Sequence, residues 1–195
     1  MLEFDPGADG LCASCARQQP VFERARSVFA YDKHSRALVL SFKNRDRTDN
    51  VPTFAGWMMR AGADLLPDAD LMARDPLHWS RLYWRRYNQS ALLALAVARE
   101  TGVRVIPDLL ARRWRTLSLG HMTPTQRRQT LKSVFTLRKP YREKIKGKRV
   151  LLIDDVLTTG ATAQACSLAL LQSGALAVDV LTLARVMRPF PHYTA

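Results

Sequence analysis

The sequence predicts an α/β fold built on a parallel sheet, on three observations. Val150, Leu151, Leu152 and Ile153 are four consecutive apolar residues, the pattern of a strand buried on both faces of a parallel sheet. The chain then reads as loop, helix over 161–173 with Gly174 as its stop, and a second strand over 177–183, which makes a βαβ unit. Hydrophobic residues form 47% of the 195, enough for the core of one such domain with a small appendage, and too many for a disordered chain.

The remaining elements follow in order. Residues 26–31 are short, apolar and β-prone and read as a strand. A turn follows over 32–35, and Ser35 is placed to cap a helix over 36–43. Pro52 suits the first turn of a second helix, whose Phe54, Trp57, Met58, Ala61 and Leu65 recur at helical spacing as core positions. Residues 70–73 form a weak strand candidate. The stretch 76–88 is aromatic and basic. Residues 90–101 make a helix with Leu92, Leu93, Leu95, Ala96 and Val97 apolar and Gly102 ending it. A short buried strand is expected over 103–106. Residues 109–135 are basic, carry few strong periodic signals and are expected to include a mobile loop. Residues 190–195 read as a loose tail.

Net charge is +13 and the sequence pI is near 10.4, which points to an anionic partner, either nucleic acid or a phosphorylated metabolite. The charge is concentrated: residues 104–149 hold 14 Lys and Arg against two acids, Asp108 and Glu143. No apolar run approaches the ~20 residues of a membrane span. The acidic, polar residues 1–10 do not resemble a signal peptide. A cytoplasmic location is expected, with no membrane insertion.

Cys12 and Cys15 form a C-x2-C pair, while Cys166 stands alone in an apolar helical pattern as a small buried hydrophobe. Two thiolates supply half of the tetrahedral shell of a structural zinc. The pair is a degraded zinc knuckle, a site completed by another chain, or no metal site. The incomplete shell favours no stable zinc.

The chemistry is concentrated in residues 150–162. An apolar strand ends in two acids, Asp154 and Asp155. A short loop follows with Val156, Leu157, Thr158, Thr159 and Gly160, and a helix opens at Ala161 and Thr162. Ligands of open α/β sheets bind at the carboxyl ends of strands, and free amides at a helix start attract phosphate. Gly160 permits close backbone approach, and the threonines add hydroxyl donors. The carboxylates need a different partner. Ribose hydroxyls donate to them, and Mg2+ bridges acids to a pyrophosphate. A phosphate cradle beside a diol clamp describes a ribose-5-phosphate site. No G-K-[ST] Walker loop and no G-x-G-x-x-G is present.

Residues 150–162 resemble the signature of type I phosphoribosyltransferases. More narrowly, the chain resembles the ComF/GntX family of competence-associated proteins. Residues 76–88 with the following Gln89 are similar to that family's P-L-H-x-x-R-x-x-x-R-x-[FY]-N-Q segment. Residues 122–135 are similar to its basic flexible loop, and residues 29–43 to its opening hairpin and helix. The resemblance covers roughly residues 11–188.

It implies a Rossmann-like parallel sheet of the type I phosphoribosyltransferase kind behind an N-terminal zinc ribbon. It divides the chain into a truncated ribbon-like segment over 1–25, a phosphoribosyltransferase-like domain over 26–190 and a tail over 191–195. The family's first C-x2-C is missing, as if the chain began late. Asp154 and Asp155 would hold the ribose hydroxyls, and the residues through Thr162 the 5-phosphate. Arg81, Arg85 and Arg86 are candidates for the pyrophosphate, which suits the two parallel donors of a guanidinium. Arg127 and Arg128 are candidates on the flexible loop. The family pattern departs at residues 72–75, where Arg74 and Asp75 bring two charges into a strand that usually reads more apolar. In the flexible loop Thr130 stands where Asn is usual.

The implied reaction is Mg2+-assisted transfer of a phosphoribosyl group from phosphoribosyl pyrophosphate to a nitrogenous acceptor. The competing expectation is a non-catalytic DNA-uptake accessory factor. It would bind single-stranded DNA through the basic surface, with Trp79, Tyr83, Trp84 and Tyr87 set among arginines, or engage a DNA-uptake helicase.

Overall fold

The computed structural model describes residues 19–44, 48–76, 89–112 and 134–187. Its core is a five-stranded parallel sheet in the order β1-β7-β6-β2-β3. The strands are β1 (Ala25–Ala30), β2 (Leu71–Arg74), β3 (Arg104–Val105), β6 (Arg149–Leu157) and β7 (Ala177–Arg185). The α/β parallel fold expected from the sequence is the fold found.

Helices cover both faces of the sheet. α1 (Lys33–Asn44), α2 (Val51–Ala61) and α3 (Gln89–Thr101) bury Phe42, Phe54, Met58, Leu93 and Val97 against Leu151, Ile153, Leu181 and Leu183. The opposite face packs Val150, Leu152, Val178 and Val180 against Ala163, Cys166 and Leu170 of α5 (Ala161–Leu171). Adjacent β6 side chains thus enter different cores, which is why the run 150–153 has no polar alternation. A one-turn helix α4 (Arg142–Ile145) leads into β6.

Several boundaries differ from the sequence reading. β6 does not stop at Ile153; it runs on to Leu157 because β7 continues to pair with it through Asp154↔Thr182, Val156↔Ala184 and Leu157↔Arg185. α1 begins at Lys33, so its cap is Asp32 and not Ser35. The Asp32 carboxylate accepts the amides of His34 and Ser35 at 2.9 and 2.8 Å, and Ser35 Oγ accepts the Asp32 amide at 2.8 Å. This is a reciprocal cap with serine in the place usually held by Glu or Gln. Leu95, counted with the apolar face of α3, is 43% exposed.

The two ends of the basic stretch expected to include a mobile loop contribute to a two-stranded antiparallel ribbon. β4 (Leu110–Arg112) pairs with β5 (Phe135–Leu137), with Arg112 opposite Phe135. Arg112 lies over the Phe135 ring at 5.6 Å, and Leu109, Leu110, Val134 and Phe135 enter the core beside α5.

The amino-terminal end of the sheet is tied by ions. Asp179 on β7 accepts Arg24 Nη2 at 2.6 Å and Arg149 Nη1 at 3.2 Å. Glu23 and Asp68 complete the cluster through Arg149 and Arg24.

Among the described residues, no helix is long and apolar enough to cross a membrane. Cys12, Cys15 and residues 1–18 of the expected ribbon segment lie outside the described residues, as do the tail and the aromatic stretch at Trp79, Tyr83, Trp84 and Tyr87; residues 22–25 of that segment join the sheet domain, with Phe22 in its core and Ala25 opening β1.

Candidate functional site

The site forms where the sheet changes direction. β2 is followed by α3 and then β3 on one side of it, whereas β6 is followed by α5 and β7 on the other. Chains leaving the carboxyl ends of β2 and β6 therefore diverge and open a crevice between them, the position at which open α/β sheets bind ligands. β2 pairs with β6 only as far as Arg74↔Ile153. The Asp75 amide still donates to the Ile153 carbonyl at 3.1 Å. Beyond that point β6 carries Asp154 and Asp155 at the mouth of the crevice, both half-buried.

Among the described residues, Asp154 is held from two elements. Ser90 Oγ, in the first turn of α3, donates to Asp154 Oδ1 at 3.2 Å, and the Asp155 amide donates to the same oxygen at 2.7 Å. Across the crevice, Asp75 is pushed up to about 6, first by burial and then by the negative charge of Asp155, with Arg112 and Arg74 opposing. Cys166 Sγ lies 3.9 Å from Asp75 Oδ1. Burial and the charges of Asp75 and Asp154 push its thiol well up, so Cys166 is a protonated, fully buried group beneath the acids and not a nucleophile.

On the other side of the acids, Thr158 and Thr159 are exposed and Gly160 opens α5 at φ 74° and ψ 0°. That left-handed conformation is accessible to glycine without strain. A Cβ built there meets nothing within 4 Å, so the space above the turn is open. Thr159 Oγ1 accepts the Ala161 amide at a long 3.4 Å, and Gly160, at the cap position, has no side chain to satisfy the rest of the first turn. The amides there, with the positive end of the helix dipole, offer an anion site.

The structure thus brings together Asp154, Asp155, Val156, Leu157, Thr158, Thr159, Gly160, Ala161 and Thr162 in one strand-turn-helix. Arg81, Arg85, Arg86, Arg127 and Arg128 lie outside the described residues. Sequence reasoning missed Asp75 and Ser90 as neighbours of the acid pair, and Arg74 and Arg112 as cations acting on Asp75. Asp75 could have been found by the rule that located Asp154, since both lie within two residues of the last apolar residue of a predicted strand.

No protein-family profile matches the chain. It is 31% identical over 182 residues to the DNA utilization protein YhgH of Salmonella typhi, an alignment covering 90% of this chain and 78% of that protein. The chain belongs to the ComF family. A second relative, Competence protein F of Haemophilus influenzae, is 29% identical over 181 residues, covering 89% of this ComF-family chain and 78% of the relative. Among solved structures, the chain is similar to the allosteric regulatory enzyme of purine biosynthesis, at 19% identity and TM-score 0.49, over 74% of this chain and 30% of that one. It is also similar to a hypoxanthine phosphoribosyltransferase from Staphylococcus aureus, at 17% identity and TM-score 0.45, over 71% of this chain and 64% of that one.

Proposed function

We propose that this ComF-family chain binds phosphoribosyl pyrophosphate with Mg2+ in the crevice between β6 and β2. There it transfers the phosphoribosyl group to a nitrogenous acceptor, in the service of DNA utilization. The observation that carries the reading is the juxtaposition of Asp154 and Asp155 with the uncapped start of α5 at the switch point of the sheet. Carboxylates accept hydroxyls and helix amides donate to phosphate, so the pair and the turn fit opposite ends of ribose 5-phosphate.

The residues also fit Mg2+. Among the described residues no group of three or more His, Cys, Asp or Glu could hold a metal. A cation here would be shared between one or two carboxylates, substrate oxygens and water, which is the habit of Mg2+. When bound it would stabilise the departing pyrophosphate. The chain's own groups orient the ribose, hold the 5-phosphate and place the anomeric carbon for displacement, so catalysis is mostly placement and electrostatics.

Isothermal titration with phosphoribosyl pyrophosphate, with and without Mg2+, tests this reading. Mg2+-dependent binding is expected in the wild type and none in the Asp154→Asn, Asp155→Asn double variant, whose circular dichroism should match the wild type. Unchanged affinity in the folded double variant would defeat the site assignment.

A second reading is favoured by the net charge of +13 and by the names of the relatives. It is a non-catalytic accessory factor that binds single-stranded DNA. DNA affinity that falls steeply with salt and ignores the double variant, in a protein that binds no phosphoribosyl pyrophosphate, would favour it.

A further inference from the structure

We infer that Ser90 is a positioning residue for Asp154, its hydroxyl setting the carboxylate in the orientation that receives the ribose hydroxyls; the inference rests on the phosphoribosyl reading above. Ser90 is 6% exposed and the preceding Gln89 2%, so the start of α3 is sealed against the acid pair and not turned to water. A buried hydroxyl needs a partner, and Asp154 Oδ1 is the partner given to Ser90 Oγ, at 3.2 Å.

The Asp155 amide reaches that same oxygen at 2.7 Å. One donor would let the carboxylate pivot about the bond. Two donors, one from β6 itself and one from a helix packed on the strand, fix the plane of the group. A diol needs that fixity, because two neighbouring hydroxyls present a set spacing and direction to their acceptors.

The support is rigid. α3 packs through Leu93, Ala94 and Val97 into the core that holds Leu151 and Ile153 of β6, so the hydroxyl is carried by an element anchored in the core and not by a loop. The start of α3 also presents its positive dipole end to the carboxylate, which favours the ionised form that accepts hydroxyls.

The test is titration of Ser90→Ala and Ser90→Thr, each checked by thermal melt, against phosphoribosyl pyrophosphate and against inorganic pyrophosphate, both with Mg2+. Ser90→Ala is expected to weaken phosphoribosyl pyrophosphate about tenfold and leave pyrophosphate, which has no diol, unchanged. Ser90→Thr keeps the hydroxyl and should return affinity to within about threefold of the wild type. Undiminished phosphoribosyl pyrophosphate affinity in Ser90→Ala overturns the positioning role while leaving the site itself standing. An equal loss for both ligands makes Ser90 a residue of the fold alone and also overturns it. A wild type that binds no phosphoribosyl pyrophosphate overturns the underlying reading and this inference together.

Discussion

Asp75 stands at the end of β2 with its carboxyl at about 6, against an ordinary value of 3.8. Because the folded value is the higher, protonated Asp75 favours the fold. That contribution is complete below pH 3.8 and is lost as pH rises through about 6. Asp75→Asn is fixed in a neutral form. It should therefore gain stability relative to the wild type between pH 4 and pH 7, by on the order of 2–3 kcal/mol. Urea melts of both proteins at the two pH values measure it, and a difference independent of pH would mean that the carboxyl is not desolvated. The same residue shows how much of the site could be read in the sequence. Asp154 and Asp155 were legible because adjacency writes them side by side, next to the turn they serve. Asp75, Ser90 and Cys166 reach them only through the pairing of β2 with β6 and the packing of α3 and α5, and no single segment encodes that register.

The elements divide in the same way. The apolar strands and the helices α2, α3 and α5 were legible because periodicity and apolar runs report burial directly. The ends were not: four residues of β6 beyond Ile153 are strand because β7 offers them partners, a tertiary cause. The ribbon of β4 and β5 escaped because its strands are three residues each, too short to show alternation. The turn into α5 was legible from Gly160, and its conformation gives a clean test. Gly160→Ala meets no steric obstacle but must hold φ at 74°, at a cost of about 1–2 kcal/mol. Chemical denaturation should show that loss. Under the proposed phosphoribosyl reading, binding of phosphoribosyl pyrophosphate should weaken as well, because relief of the strain turns the first amides of α5 away from the position proposed for the 5-phosphate. Full stability in the variant would mean that the turn relaxes freely.

For the whole molecule, the ionic cluster at the far end of the sheet sets a stability unrelated to ligand. The Asp179 side chain is 1% exposed, while those of Arg24 and Arg149 are 28% and 23% exposed. Asp179→Ala removes the shared acceptor and leaves two partly buried guanidinium groups together. A loss of about 3 kcal/mol is expected in urea unfolding, with the proposed phosphoribosyl pyrophosphate affinity intact because the candidate site lies at the opposite end of the strands. A loss below about 1 kcal/mol would show both arginines relaxing into solvent.

The clasp between Arg24 and Asp179 spans 155 residues of sequence, and the strand beside it, β1, takes its sheet partner from β7, near the other end of the chain. On the ribosome, β1 emerges long before anything it can pair with. At the usual pace of about 5–20 residues per second, it waits roughly 8–30 s for β7. During that interval Val28 and Phe29 are a sticky, unpaired strand on a nascent chain, the period when a chaperone has most to offer this protein.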